Sequence, residues 1–352
     1  MAINKPKIIV IVGPTGSGKT ALAHVIARSG GDFELVSADS RQIYRGMDIG
    51  TGKEAVPDIP HHLIDIVNPD EEFTLADFLA RAKKVIADIR ARGHMPVVVG
   101  GTGLYVQALV ENWQVPAVKQ NQKLRAELEK KSVSELQKEL AAIDPEEAER
   151  LGGGKRYLIR ALEMWHATGK KPSAFKTKSE PLYDALVIGI DLPREELYAR
   201  IDARVDDMFA RGLVDEVRGL LKKYPADLPA FKTIGYREIM DNDLIHPQGN
   251  TLERSFRRRR GMVSAASAER GAENAGSRLG LWPSEPREAG RPPLDGGLPV
   301  RNGVLPEGAT SRIIKHHTHA YARRQLTWLR RMKYVEWTAD SPSAMQLVQR
   351  WL

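Results

Sequence analysis

The chain has 352 residues, of which 42% are hydrophobic and 28% charged, which is typical of a globular protein large enough for two domains. It contains no cysteine, which excludes disulfides and thiolate metal sites, and no segment approaches the roughly 20 apolar residues of a membrane span, so we expect a cytoplasmic protein with no membrane partner. The net charge of +8 is concentrated in residues 251–330, where 15 Lys and Arg stand against 7 Asp and Glu, and this indicates either a polyanionic partner such as nucleic acid or a solvated basic segment.

The first hundred residues alternate between short apolar runs and helical patterns. Buried strands are predicted at 7–12, 33–39, 61–67 and 95–101, and a later one at 185–192. Helices are predicted at 20–29 and 74–93, and Thr74 with Asp77 forms a capping box at the start of the second. Strands that are apolar throughout and separated by helices indicate a parallel sheet covered on both faces.

The rest of the chain is predicted to be mostly helical. From Trp113 to Pro181 the strand signal disappears, and Asp144 followed by Pro145 indicates a helix start. Helical patterns also cover 194–240 and 313–331, whereas the Gly- and Pro-rich residues between them favour disorder. The predicted divisions are 1–114 (core, first part), 115–181 (helical insertion), 182–250 (core, second part), 256–311 (disordered insert) and 312–352 (a C-terminal basic helix returning to the core).

A glycine-rich loop lies between the first strand and the first helix. The pattern G-x-x-x-x-G-K-[ST] is met in this context, which is the context that the motif requires. Its backbone N–H groups and the Lys19 ammonium suit phosphate oxygens, and Thr20 can hold Mg²⁺. The predicted diphosphate- or nucleotide-binding residues are Gly13, Pro14, Thr15, Gly16, Ser17, Gly18, Lys19 and Thr20. The predicted fold class is therefore α/β, a P-loop NTPase-like parallel sheet with helices on both faces, plus a helical insertion domain.

Two further clusters follow strand ends, which in such a sheet face the ligand crevice. Asp39 follows the second strand, and its carboxylate suits a helix cap, a metal ligand or a general base. The strand at 95–101 runs into Gly-Gly-Thr rather than into an acidic metal ligand. These glycines predict close backbone approach to a bulky ligand, and Thr102 offers a hydroxyl.

Eight blocks occur in the order found in bacterial-type tRNA dimethylallyltransferases, and over residues 1–250 and 312–340 the chain resembles this family. The blocks are GPTGSGKT, SADSRQIYRGMDIGTGK, PHHLIDIV, VVVGGTGLY, IRALEMWHATGKKPS, RGLVDEV, IGYRE and YARRQLTWLRR. The resemblance implies transfer of a dimethylallyl group from dimethylallyl diphosphate to N6 of the adenosine 3′ of the tRNA anticodon, with release of diphosphate. It also implies that the glycine loop holds the diphosphate of the donor, that Mg²⁺ is the cofactor and that the anticodon stem-loop is the partner. We expect a monomer.

The resemblance assigns roles to individual residues. The implied catalytic residues are Asp39 as the general base, Thr102 at the substrate adenosine, and Lys19 and Arg204 at the diphosphate. Without the family, Arg204 would be taken for a solvated charge on a helix. The implied tRNA-binding residues are Asp39, Ser40, Arg41, Gln42, Thr102, Arg125, Arg156, Arg160, Lys232, Gly235, Tyr236 and Arg237.

The C-terminal basic helix offers a further predicted phosphate-contacting face, carrying Arg323, Arg324, Gln325 and Trp328. Trp328 and Trp165 suit either base stacking or the core, and their helical spacing favours the core. The chain departs from the family at Arg156 and Tyr157, which occupy the positions where Gln-Arg is usual, and residues 256–311 have no family counterpart.

Three alternatives stay open at this point. A kinase acting on a small molecule or nucleotide uses the same glycine loop to transfer phosphate from ATP. A prenyltransferase acting on free AMP, ADP or ATP needs neither the basic C-terminal helix nor the helical insertion. A non-catalytic RNA-binding protein does not need Lys19, Thr20, Asp39 and Thr102 together.

Overall fold

The computed structural model describes residues 5–54, 58–116, 118, 121–175, 179–241 and 307–352. The described residues form two compact units. The larger contains those within 1–115, 178–245 and 295–352, and the smaller contains those within 116–177. The predicted disordered insert lies outside the described residues as far as position 306.

A six-stranded parallel sheet is the centre of the larger unit. Its strands are β1 (Lys7–Val12), β2 (Phe33–Ser37), β3 (His61–His62), β4 (Met95–Gly100), β5 (Asp184–Ile190) and β6 (Val335–Thr338). They lie in the order β3-β2-β4-β1-β5-β6, and every neighbouring pair is parallel. The carboxyl ends of all six strands therefore meet at one edge, where the loops that follow them are brought together.

Helices connect the strands and form the smaller unit. Their bounds are α1 (Lys19–Ala27), α2 (Leu75–Ala91), α3 (Gly103–Val110), α4 (Gln122–Lys130), α5 (Val133–Ile143), α6 (Pro145–Leu151), α7 (Lys155–Thr168), α8 (Arg194–Ala210), α9 (Leu213–Leu221), α10 (Tyr236–Asp241), α11 (Glu307–Leu329) and α12 (Ser341–Trp351). Short 3₁₀ helices cover Pro172–Phe175 and Pro229–Lys232. Across the described residues, no helix is long and apolar enough to cross a membrane.

Both faces of the sheet are buried, as the continuous apolar strands predict. Ile8 and Val10 of β1 pack with residues of α2 and α3, while Ile9 and Ile11 pack with residues of α1 and α12. This alternation follows from the two-residue period of a strand, which places successive side chains on opposite faces. The predicted α/β fold with helices on both faces is confirmed.

The smaller unit is a helical bundle with its own apolar core. Leu128, Leu136, Leu140 and Leu158 are buried together in it. The predicted helix start at Asp144 is confirmed, because its carboxylate accepts a hydrogen bond from the backbone N–H three residues ahead, at the first turn of α6.

The structure corrects three predictions about the elements. The predicted strand at 61–67 stops after His62, because Leu63 (φ 63°) and Asp65 (φ 55°) turn the backbone out of the extended region. Residues 307–311, predicted to be disordered, already belong to α11. The C-terminal segment is more than a basic helix, because it adds β6 beside β5 and then α12.

Candidate active site

The glycine loop lies at the carboxyl end of β1 and leads into α1, as predicted. Gly16 (φ 80°) and Gly18 (φ 85°) adopt the left-handed conformation that favours glycine. A Cβ on Gly16 would stand 2.8 Å from the Ile201 side chain of α8, so this helix covers the loop closely. The first four backbone N–H groups of an α-helix have no partner within the helix, and the helix start carries partial positive charge, so the start of α1 suits an anion.

Lys19 is the first residue of α1, and its ammonium lies inside the loop. Its Nζ donates a hydrogen bond to the Pro14 carbonyl at 3.3 Å. Burial lowers the pKa of Lys19 to about 8; the Asp39 carboxylate opposes this shift, whereas the Arg204 guanidinium adds to it. Three of the four groups that the sequence analysis places in catalysis, those of Lys19, Asp39 and Arg204, therefore lie within one electrostatic environment.

Asp39 and Thr102 lie beyond the carboxyl ends of the neighbouring strands β2 and β4. The Asp39 Oδ1 accepts a hydrogen bond from the Arg41 backbone N–H at 2.8 Å. The Thr102 hydroxyl accepts one from the Ser40 backbone N–H at 3.0 Å and donates to the Ser40 hydroxyl at 3.3 Å. Thr102 thereby connects the two strand ends and fixes the segment that carries Asp39.

The glycines before Thr102 allow close contacts within the protein. A Cβ on Gly100 would stand 2.2 Å from the Ala38 carbonyl oxygen, and one on Gly101 would stand 2.5 Å from Gln325 Nε2. The close approach that these glycines permit in this structure is therefore to the protein itself, and an approach to a ligand stays a prediction.

A loop after β2 connects Gln42 with Arg204 of α8. The Gln42 amide donates to the carbonyls of Thr51 and Gly52 at 3.4 and 3.3 Å. The Arg204 guanidinium donates to the same Thr51 carbonyl at 3.4 Å. Arg200, one helical turn before Arg204, lies 3.4 Å from where a Cβ on Gly18 would stand, and its guanidinium is held by Glu196 at 2.6 Å. The helix α8 thus presents two arginines to this side of the loop.

Gln325 of α11 joins two loops of the site, a role that the sequence analysis missed. It is 7% exposed, its Oε1 accepts from the Thr15 backbone N–H at 2.9 Å, and its Nε2 donates to the Gly101 carbonyl at 2.8 Å. Its inclusion in a phosphate-contacting face is therefore wrong.

The other residues of the predicted phosphate-contacting face differ in exposure. Arg323 and Arg324 of the same helix are exposed, whereas Trp328 packs against Gly103 and the core, as its spacing favoured.

Tyr321 of α11 interacts electrostatically with the Asp39 carboxylate. Burial raises the pKa of the Tyr321 hydroxyl to about 12, with the Asp39 carboxylate adding to the shift and the Arg41 and Arg324 guanidinium groups opposing it. The phenol is therefore protonated across the physiological range. The helix α11 thus contributes the Gln325 amide, which bonds backbone groups of two loops, and the neutral Tyr321 hydroxyl near the end of β2.

The predicted RNA-binding segment 232–237 divides into outward and inward residues. Lys232 and Arg237 are exposed, whereas Gly235 and Tyr236 are buried. The Tyr236 hydroxyl donates to Glu216 at 2.5 Å, so its side chain supports the interior rather than reaching an RNA surface. Glu238 accepts from the Gly235 backbone N–H, from Arg237 and from His317, which ties the segment to α11.

The three predicted RNA contacts of the smaller unit also differ among themselves. Arg125 makes two hydrogen bonds to the buried Glu163 carboxylate at 2.7 and 2.9 Å, and Arg160 shares that carboxylate at 3.3 Å. Arg156 is exposed, with its guanidinium 5.7 Å from the Tyr157 ring centre. Trp165 is half-buried, edge-on to the neighbouring histidine ring.

A family model described as IPP transferase matches residues 42–257. The chain belongs to the IPP transferase family. The tRNA dimethylallyltransferase of Thermomicrobium roseum is 39% identical over 345 residues, which cover 95% of this chain and 87% of the relative. The tRNA dimethylallyltransferase of Symbiobacterium thermophilum is 48% identical over 246 residues, which cover 67% of this chain and 77% of the relative.

Solved structures agree with this assignment to the IPP transferase family. The full-length tRNA isopentenylpyrophosphate transferase from Bacillus halodurans matches with a TM-score of 0.59 and 30% identity, covering 99% of this chain and 95% of that one. A eukaryotic dimethylallyltransferase acting on tRNA matches with a TM-score of 0.65 and 26% identity, covering 92% of this chain and 70% of that one. The predicted family and its fold are confirmed.

This member of the IPP transferase family brings its predicted catalytic groups to one edge of the sheet. The glycine loop follows β1, Asp39 follows β2 and Thr102 follows β4, and β1 and β2 both pair with β4. Such an arrangement offers an anion cradle beside a carboxylate base, which suits transfer of a group from a phosphate leaving group to a nucleophile. The same geometry alone would also serve phosphoryl transfer.

Proposed function

We propose that the protein transfers the dimethylallyl group of dimethylallyl diphosphate to N6 of the adenosine 3′ of the anticodon in tRNA and releases diphosphate. One observation carries the proposal: in a chain of the IPP transferase family, the glycine loop, Asp39 and Thr102 follow β1, β2 and β4 at one edge of the sheet. The names of the relatives, tRNA dimethylallyltransferase, give the transferred group and the acceptor. The proposal takes the enzyme as a cytoplasmic monomer.

The donor side of the reaction requires stabilisation of the leaving group. The C–O bond of the allylic donor breaks, and diphosphate leaves with the electron pair and gains negative charge. The backbone N–H groups of the glycine loop, the Lys19 ammonium and the Arg204 guanidinium are the cationic and hydrogen-bonding groups available for that charge. Such groups accelerate the step when they bind the departing anion more strongly than the intact donor.

The acceptor side requires a free amine and a base. The target adenosine is expected to leave its stack and enter the site, as in other enzymes that modify bases. As the N–C bond forms, the amine proton passes to the Asp39 carboxylate, provided that the two lie roughly 3 Å apart or are bridged by one water. The Arg41 N–H that bonds Asp39 holds the carboxylate in orientation, and Thr102 is proposed to contact the adenosine.

Exposed basic residues are the proposed RNA contacts. Within the larger unit these are Lys232, Arg237, Arg323 and Arg324, and within the smaller unit Arg156. Phosphate contacts by such residues set the register of the RNA, and each adds to the salt dependence of binding. Ser40, Arg41 and Gln42 lie beside Asp39 and are the proposed contacts closest to the reacting base.

Magnesium is the proposed cofactor, and the described residues suit a weakly ligated ion. They contain no group of three or more His, Asp or Glu side chains that could hold a metal by themselves. Mg²⁺ characteristically binds through one or two protein oxygens together with substrate phosphates and water. The Thr20 hydroxyl at the start of α1 is the protein oxygen proposed to hold it. When bound, the ion would neutralise charge on the diphosphate oxygens.

The test uses purified full-length protein, an anticodon stem-loop and two labelled donors in parallel. Label from dimethylallyl diphosphate is expected to enter the RNA, and mass spectrometry of the digested nucleosides is expected to find N6-dimethylallyladenosine. Transfer of γ-phosphate from ATP to a product would instead support a kinase. Competition with AMP separates an enzyme that prenylates free nucleotides, because AMP would then outcompete the stem-loop. If every adenosine stays unmodified with magnesium present, the proposal fails.

A further inference from the structure

The Glu216 carboxylate of α9 is fully engaged by one loop and one buried side chain. Its Oε2 accepts from the backbone N–H groups of Asp48 and Ile49 at 2.9 and 2.7 Å. Its Oε1 accepts from the Gly50 N–H at 3.1 Å and from the Tyr236 hydroxyl at 2.5 Å. Hydrogen bonds to an ionised acceptor are about twice as strong as those between neutral groups. Three consecutive backbone donors on one carboxylate therefore fix the conformation of residues 48–50.

The Tyr236 side chain packs against the buried side of the same loop. Its side chain is fully buried, and a Cβ on Gly50 would stand 2.4 Å from the Tyr236 ring, so the loop lies directly on the aromatic face. Burial raises the pKa of Tyr236, and the Glu216 carboxylate raises it further, so the phenol remains a donor to that carboxylate. Glu216 and Tyr236 thus hold the loop from both sides of its backbone.

The next two residues of the loop meet the proposed substrate-binding side chains. Gly52 has φ 62°, and a Cβ there would stand 1.7 Å from Arg204 Nη2, so the guanidinium occupies the space that any side chain would need. The carbonyls of Thr51 and Gly52 accept from Gln42, and Thr51 also accepts from Arg204. The loop 48–52 is therefore the support on which Arg204 and Gln42 rest.

We propose that Glu216, with Tyr236, is a positioning residue that sets Arg204 for the diphosphate by fixing the loop 48–52. The inference rests on the proposed function, because it takes Arg204 as a cation of the diphosphate site. Glu216 itself contacts no substrate. Its loss frees three backbone N–H groups, the loop relaxes, and the guanidinium loses the surface that holds it beside Lys19.

The experiment measures binding of inorganic pyrophosphate to the full-length protein by calorimetry. In E216Q one carboxylate oxygen becomes an NH₂ group, which cannot accept from the backbone N–H groups that it faces. At least one of the three backbone hydrogen bonds is therefore lost, and we expect the affinity for pyrophosphate to fall about tenfold. Y236F keeps the three backbone bonds to Glu216 and is expected to lose less. Asp215→Asn is the matched control, because Asp215 lies on the same helix but is exposed and pairs only with Arg218 among the bonds seen here.

A double-mutant cycle distinguishes positioning from general stability. If Glu216 acts through Arg204, E216Q lowers the affinity in the native background but adds little once Arg204 is Ala. Equal losses in both backgrounds, or an unchanged affinity in E216Q, would overturn the inference. If E216Q does not fold, Y236F is tested in the native background and in the Arg204→Ala background instead. Equal losses in both backgrounds, or an unchanged affinity in Y236F, would again overturn the inference.

The inference and the proposed function fail separately. Native protein that binds pyrophosphate but modifies no RNA contradicts the proposed function and leaves the positioning role intact. Protein that prenylates RNA, but whose E216Q variant binds pyrophosphate as tightly as the native chain, contradicts the positioning role alone. Kinetics add a second measurement: E216Q is expected to raise the KM for dimethylallyl diphosphate more than the KM for the stem-loop, because the loop reaches the proposed RNA contacts only through Gln42.

Discussion

Lys19 combines a proposed phosphate-binding role with a pKa that burial lowers to about 8. The Lys19 side chain is a charged ammonium below that pH and loses its proton and charge above it. The affinity for pyrophosphate should therefore fall as the pH rises through 8. We expect a loss of about tenfold between pH 7 and pH 9.5 in calorimetric titrations without metal. Lys19→Arg keeps its charge over this range and corrects for the titration of the ligand itself. Identical pH profiles for both proteins would contradict this role of Lys19.

Asp39 offers a test of the chemical step. Asp39→Asn keeps an oxygen that can accept the Arg41 N–H but removes the base. Stem-loop binding, measured by fluorescence anisotropy, should stay within about threefold of native, whereas single-turnover prenylation should slow by roughly 10²- to 10⁴-fold, the usual range for a general base. Ser29→Ala, on the exposed turn after α1, is a control without an expected effect. Turnover of Asp39→Asn near the native rate would remove this residue as the base.

Residues with short-range signatures were predictable from the sequence, and residues with remote backbone partners were not. The glycine loop and the Thr74 capping box are short local patterns, and their residue types are each typical of one local backbone structure. Gln325 lies 310 positions from Thr15, and Glu216 lies 168 from Asp48. Both side chains bond backbone groups, which any residue supplies. No pattern of residue types therefore marks these contacts before the fold is known.

The C-terminal helix α11 supports two loops of the site through the Gln325 side-chain amide. The substitution Gln325→Ala leaves the partly buried Thr15 N–H and the buried Gly101 carbonyl without this partner, which is expected to lower the unfolding free energy by about 1–3 kcal/mol. We expect Gln325→Ala to lower the denaturant midpoint and to weaken pyrophosphate binding together. Thr327→Ala, on the exposed face of the same helix, should change neither. Loss of stability with native pyrophosphate affinity would show that the amide supports the fold alone.

Strands were predicted correctly where a continuous apolar run lies in the buried centre of the sheet. The strands β1, β4 and β5 are continuous apolar runs, and all three lie in the centre of the sheet with neighbours on both sides. The run at 61–67 also contains apolar residues, but the backbone turns at Leu63 and leaves only two residues of strand at the sheet edge. The edge strand β6, Val-Glu-Trp-Thr, is too short and mixed to stand out. Edge strands depend on a neighbour that local sequence does not reveal.

The two ends of β2 carry the proposed catalytic base and a cluster of charged side chains that stabilises the fold. Beyond its carboxyl end lies Asp39, while near its amino end Glu34 is buried under three basic side chains. The Glu34 carboxylate accepts from Arg92 at 2.8 to 3.1 Å, and its oxygens lie 2.6 Å from His62 Nε2 and 2.7 Å from His94 Nδ1. These contacts tie β2 to β3 and to the segment between α2 and β4. Variants at Glu34 should therefore alter folding without altering the reaction.

Glu34 also predicts how the whole protein responds to acid. Although burial alone would raise the pKa of Glu34, hydrogen bonds from His62, Arg92 and His94 lower it to about 2. A carboxyl whose pKa is lowered on folding adds stability above its unfolded value, near 4.5, and that stability is lost as the pH falls from 4.5 towards 2. Glu34→Gln should lower the unfolding free energy at pH 7 by on the order of 2 kcal/mol, and the gap from native should narrow across that acid window.

Urea denaturation of both proteins at several pH values between 2 and 7 measures this gap directly. Asp88→Asn is the control, because Asp88 forms an exposed ion pair one turn from Lys84, and such pairs contribute well under 1 kcal/mol. At pH 7 and low temperature, folded Glu34→Gln should prenylate the stem-loop at the native rate, since the substitution lies at the other end of the strand from Asp39. A gap that stays constant from pH 7 to pH 2 would mean that the basic cluster does not hold Glu34 ionised, and the acid sensitivity would then have to arise from other carboxylates.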